Sequence, residues 1–114
     1  MTDRPAYKNH PLWTRAMALT RDAYALADRV KEASPETANG LRKAAVAVPA
    51  HVAGAITDGS DKRREHVLAA RGALAEVARQ AARAPDEASK DLTRMAETLD
   101  LSVLFEFGAT GALS

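Results

Sequence analysis

No cysteine occurs in the 114-residue chain, which excludes disulfides, thiolate zinc sites and cysteine nucleophiles. Long apolar runs are missing too. The longest, such as Ala44 to Ala50, fall far short of the roughly 20 residues that cross a bilayer. Residues Met1 to Pro11 hold no apolar stretch of the kind that marks export, so a cytoplasmic location and no membrane partner are expected. Net charge is nearly absent: 16 Lys and Arg against 15 Asp and Glu leave +1, which argues neither for nor against a polyanionic partner. Aromatic residues make up only 4%, whereas 26 residues are alanine. Alanine loses no side-chain entropy on entering a helix, so this excess is a helix former's signature. What remains, 46% hydrophobic and 27% charged residues in 12.1 kDa, fits one compact all-α domain.

Breakers divide the chain into four helical segments. Ser34-Pro35-Glu36 combines a serine N-cap, a proline at the first helical position and an acid in the first turn. Asp58-Gly59-Ser60-Asp61 reads as a terminating glycine followed at once by a new N-cap. Pro85-Asp86-Glu87 marks a third boundary, with acids suited to a helix N-terminus. The expected helices are 12–33, 36–57, 61–84 and 86–104, within a domain of 12–107 flanked by tails at 1–11 and 108–114.

In the first segment Leu12, Ala16, Leu19, Ala23, Leu26 and Val30 step by four and three, the spacing of a packed seam. A second stripe of Trp13, Met17, Thr20, Tyr24 and Ala27 runs beside it, widening the apolar face beyond what one neighbour needs. Val67, Ala70, Leu74, Val77, Ala81 and Ala84 repeat the pattern in the third segment. A weaker series of Ala88, Leu92, Met95 and Leu99 occupies the fourth. Short connections make neighbouring helices antiparallel, so the expected architecture is an up-down-up-down four-helix bundle. The second segment carries Leu41, Ala45, Val48 and Val52 in helical phase with Pro49 among them. Proline there removes an amide donor and presses on the Ala45 carbonyl, so either two helices meet or one bends; unbroken phase favours one helix kinked at Pro49. Gly72, beside Ala69, Ala73 and Ala75, reads as a site of close helix approach.

Charge is unevenly distributed. Residues 1–85 hold fourteen Lys and Arg and nine Asp and Glu, net +5; residues 86–114 hold two and six, net −4. Lys62, Arg63, Arg64, Arg71, Arg79 and Arg83 make the third helix the basic element. At about 100° per residue, Arg64, Arg71 and Arg79 fall within roughly 80° of one another, a stripe suited to phosphates. The plainer reading is a solvated face paired with acids of the fourth helix such as Asp91 and Glu97.

Catalytic and metal patterns are lacking. Glu65 directly precedes His66, His51 has no acid three residues before it, and no His-x-x-x-His pair exists, so spacing argues against a metal and no cofactor is expected. His51 is expected to pack beside the kink, its polar edge meeting a carbonyl freed by Pro49. The serines lie at caps or in the tail, and Gly108-Ala109-Thr110-Gly111 lacks the lysine and helix of a phosphate loop. The chain reads as non-enzymatic. Leu101, Val103, Leu104, Phe105 and Phe107 crowd one end; with Trp13, Met17 and Tyr24 they are candidates for a subunit interface.

The stretch Leu41-Arg42-Lys43-Ala44-Ala45-Val46-Ala47-Val48-Pro49-Ala50-His51-Val52-Ala53 resembles the "LRRAAVSIPANIAEG" signature of the bacterial 23S rRNA-intervening sequence proteins. Leu12-Trp13 through Val30 is similar to that family's first helix, and Ala69-Ala70-Arg71-Gly72-Ala73-Leu74-Ala75-Glu76 to its "IARGSLAE" motif. The likeness is poorest at His51–Ala55 and at His66–Leu68. It implies a four-helix bundle forming a homo-oligomeric, pentameric barrel, akin to accessory proteins of diversity-generating retroelements, which bind nucleic acid and a reverse transcriptase. On that reading RNA or DNA, or a protein encoded nearby such as a reverse transcriptase, are the candidate partners. Arg42, Lys43, Arg64, Arg71, Arg79 and Arg83 would face nucleic acid. The alternative is a scaffold that docks a partner protein without nucleic acid.

Overall fold

A computed structural model describes residues 6–58, 60–84 and 86–101. They form α1 (Pro11–Val30), α2 (Pro35–Thr57), α3 (Ser60–Arg83) and α4 (Ala88–Thr98), preceded by a 3-10 turn at Ala6–Asn9. No strand occurs among the described residues, so the expected all-helical class with four helices holds. None of the described helices is long and apolar enough to cross a membrane. The expected tail at 108–114 lies outside the described residues.

Apolar spacing decides which faces are covered. All six residues of the first α1 stripe are buried, as are all six of the α3 series. Leu41, Ala45, Val48 and Val52 complete the centre of the core from α2, and Leu92 and Ala96 close it from α4. α2 packs most extensively against α3 and next against α1, while α4 rests mainly on α3. Of the second α1 stripe only Ala27 is buried; Trp13 and Met17 are half-buried and Tyr24 is exposed. Part of the stretch read as a leading tail packs on the bundle, since the Tyr7 ring meets Trp13 edge to face at 5.5 Å.

α2 runs through Pro49 as one helix, with the proline itself buried. Its missing amide leaves the Ala45 carbonyl without its helical donor. The hydroxyl of Thr20 supplies a substitute from α1: Oγ1 lies 3.0 Å from the Ala45 oxygen and 2.9 Å from the Ala16 oxygen, sharing one proton between them. His51 does not take the role expected of it. It lies about 120° around α2 from Ala45, on the side facing α3, and its ring meets His66 instead.

Helix ends differ from expectation where tertiary contacts intervene. The Ser34 hydroxyl makes no cap hydrogen bond; it donates to the Thr37 hydroxyl at 2.9 Å, and the Ser34 carbonyl receives the Ala38 amide. α1 stops at Val30 rather than 33; residues 31–33 form a turn in which the Ser34 amide still donates to the Val30 carbonyl at 2.7 Å, and Pro35 disfavours helical backbone at Ser34 itself. α4 was expected to reach 104 and stops at Thr98, with Leu99 extended. A continuing helix would turn Leu101 about 180° away from Leu92 and into water; the extended exit lets it join the core, 2% exposed. Arg63 closes α2 from outside, its Nε donating to the Ala55 carbonyl at 2.7 Å and an Nη to that of Asp58 at 3.2 Å. Asp86 starts α4 by accepting from the Ala88 amide at 2.8 Å and binds Arg29 of α1 at 3.3 Å.

If Thr20 substitutes for the missing amide, Thr20→Val costs about 1–2 kcal/mol in the natural sequence, where it strands a buried carbonyl. The cost falls by about 0.5–1 kcal/mol in a Pro49→Ala background, whose restored amide serves Ala45. Urea unfolding of the four proteins measures this coupling; equal costs in both backgrounds would refute it.

Candidate functional site

The basic stripe of α3 is a surface. Arg64, Arg71 and Arg79 are exposed, as are Lys62 and Arg83, and the three stripe arginines span about 22 Å of helix. Arg63 is the exception among the basic residues of α3, turned back to close α2. Asp91 is held by Arg94 on its own helix at 3.6 Å, and Arg79 is held within α3 by Glu76, which also accepts from Gln80 at 2.7 Å. Between the arginines lie exposed small residues and Leu68, 49% exposed.

Gly72 belongs to this face, and its expected role in close helix approach is not seen: a Cβ there would meet nothing within 4 Å. Close approach occurs at Gly40 instead, where a Cβ would fall 2.6 Å from the Gln80 side chain across the α2–α3 contact. The apolar-and-small pattern around Gly72 is common to packed and solvent faces, so sequence could not separate the two.

The two basic residues of α2 have different surroundings. Arg42 is committed to its neighbours: one Nη lies 2.8 Å from Asp28, and the guanidinium sits over the Tyr24 ring, 6.0 Å from its centroid. Lys43 is exposed and lines two grooves. One, about 660 Å³, runs with Tyr24, Asn39 and Val46 between α1 and α2; the other, about 460 Å³, runs with Ala73 and Glu76 between α2 and α3. The fold therefore brings Lys43 to the groove that Glu76, the partner of Arg79, also lines. Arg42 shares the α1–α2 groove with Lys43 but does not line the α2–α3 one. Of the candidate interface residues, Trp13, Met17 and Tyr24 are placed as above, and Leu104, Phe105 and Phe107 lie outside the described residues.

A second polar cluster joins α2 to α3 near their connection. Asp58, His66 and His51 form a chain of 2.8 and 3.2 Å contacts, with the two rings tilted by 41°. Helical spacing within a single segment could not find it, because the histidines lie fifteen residues apart on different helices. Among the described residues no group of three or more metal-ligating side chains occurs.

Family models, curated proteins and solved structures contain no match to this chain.

Because Gly72 sits mid-helix with open space beside it, Gly72→Ala raises stability by about 0.5–1 kcal/mol through helix propensity alone. Thermal and urea unfolding check this; a loss of stability would mean that the face is covered.

Proposed function

We propose that the chain is a non-enzymatic, self-associating four-helix bundle of the 23S rRNA-intervening sequence type, presenting the α3 face to nucleic acid or a nucleoprotein in the cytoplasm. The observation that carries it is the line of exposed arginines Arg64, Arg71 and Arg79. Antiparallel, up-down-up-down order is supported by cross-helix pairs. Thr20 meets Ala45 while Asp28 meets Arg42; Gly54 meets His66 while Gly40 meets Gln80; Arg29 meets Asp86 while Leu19 and Met95 line one cavity. In every case residue numbers rise along one helix as they fall along the other. Loss of the Pro49 amide favours a bend in α2 at that point. Assembly into a pentameric ring follows from the resemblance. A ring repeats the arginine line around its circumference, so a modest stripe becomes a continuous positive surface. Lys43 and Arg83 extend that surface. Arg42, bound to Asp28, and Arg79, bound to Glu76, would each exchange a carboxylate for a phosphate.

Exposed Val46, Leu68 and Tyr24 support the second reading, a scaffold for a partner protein. That reading predicts a co-purifying protein and no nuclease-sensitive material.

Filter binding of RNA and single-stranded DNA across a salt series separates the two. Log affinity should fall linearly with log salt, and replacing Arg64, Arg71 and Arg79 by Gln should make the slope shallower by about 2, from three lost phosphate contacts. No binding at low salt, or an unchanged slope, defeats the nucleic-acid reading.

A further inference from the structure

The cluster joining α2 to α3 has a chemistry of its own, independent of the arginine face. A carboxylate only accepts hydrogen bonds, so Asp58, 2.8 Å from Nε2 of His66, holds that ring in the tautomer whose Nδ1 carries a lone pair. This lone pair faces Nδ1 of His51 at 3.2 Å, and in the hydrogen-bonded form His51 donates its Nδ1 proton to it. Metal-ligating histidines are commonly oriented from behind by a carboxylate in this way, and here the other nitrogen of His66 lies beside a second imidazole.

We propose that His51 and His66 bind one divalent transition ion of the zinc type through their Nδ1 atoms, with Asp58 as a positioning residue. Two imidazole nitrogens at about 2.0–2.1 Å from a tetrahedral ion are about 3.3–3.4 Å apart, whereas a square-planar pair would be about 2.9 Å apart. The observed 3.2 Å lies near the tetrahedral value. From the hydrogen-bonded pair, in which the Nδ1 atoms point at each other, each ring turns by about 35° to aim its lone pair at a common tetrahedral ion. On binding, His51 gives up its Nδ1 proton and is protonated at Nε2, so both ligands are neutral imidazoles and no net proton is released. His66 is 28% exposed in its side chain and His51 half-buried, so water reaches the site to complete the coordination shell. The bound ion would tie the C-terminal half of α2 to the start of α3.

Gly54 makes room for this geometry. A Cβ there would lie 2.7–2.8 Å from three atoms of the His66 ring. Gly54→Ala therefore displaces the ring while leaving both histidines and Asp58 in the chain, and its gain in helix propensity offsets the lost hydrogen bonds. His10, whose Nδ1 accepts from the Leu12 amide at 3.1 Å to cap α1, serves as the control.

Calorimetric titration of the full chain with Zn²⁺ tests the proposal, with Co²⁺ absorption as a second probe of the same site. The expected result is one Zn²⁺ per chain and a tetrahedral Co²⁺ spectrum that Zn²⁺ abolishes. His51→Gln, His66→Gln and Gly54→Ala each weaken binding by about tenfold or more, Asp58→Asn by about tenfold, and His10→Gln has no effect. Circular dichroism establishes that each variant is folded. Should one unfold, imidazole nitrogen NMR of the natural chain decides the matter, since Zn²⁺ must shift Nδ1 of both His51 and His66. Absence of Zn²⁺ uptake, uptake unaffected by both His51→Gln and His66→Gln, or unshifted Nδ1 signals would overturn the proposal.

Discussion

A proline in the middle of the most heavily packed helix is the constraint on which the other contacts depend. In an ordinary helix interior Pro49 costs about 3 kcal/mol. The Thr20 hydroxyl recovers only part of that, because a net hydrogen bond contributes about 0.5–1.5 kcal/mol. Burial supplies the rest: Val48 and Val52 on either side are fully buried, and each such side chain contributes about 1.5–3 kcal/mol. Two separate helices would relieve the proline, but only a second helix that kept the same phase would leave Val52 and Ala55 fully buried. One continuous helix wins on magnitude.

Continuity of α2 sets the relation between the two polar regions. Its first half carries Arg42 and Lys43 beside the α1 and α3 grooves; its second half carries His51 and Gly54, followed by the C-cap Asp58, against His66. Rotating the second half about Pro49 would turn the histidine from α3 without disturbing the groove residues. The Ala45–Thr20 contact fixes α2 against α1, and the Arg63 contacts with Ala55 and Asp58 fix its far end against α3. The stripe arginines are exposed on α3, away from the buried series of that helix.

Much of the interior was legible because apolar residues at three- and four-residue steps can be buried only on one face. The α1 and α3 series are buried residue for residue. Contacts between helices were not legible, since the pattern within one helix does not specify which polar residue of the next lies opposite. Thr20 looked like part of an apolar stripe and is the proton donor to Ala45; His51 looked destined for the proline and meets His66. One signal was available. The motif likeness is poorest at His51–Ala55 and at His66–Leu68, and these are the two stretches that the fold brings together. The end of α4 was hidden for another reason: an apolar run past Leu99 looks helical, and only burial of Leu101 demands the extended exit. For the arginines, sequence supplied their common face but not their ion-pair partners.

Amide hydrogen exchange along α2 tests the central claim most directly. If the helix is continuous and held at Ala45 by Thr20, the amides of His51, Val52 and Ala53 exchange as slowly as those of Leu41 through Ala45. A fast-exchanging window from Ala47 to Ala53, with slow exchange resuming only beyond it, would mean two helices and a hinge, and would contradict the account.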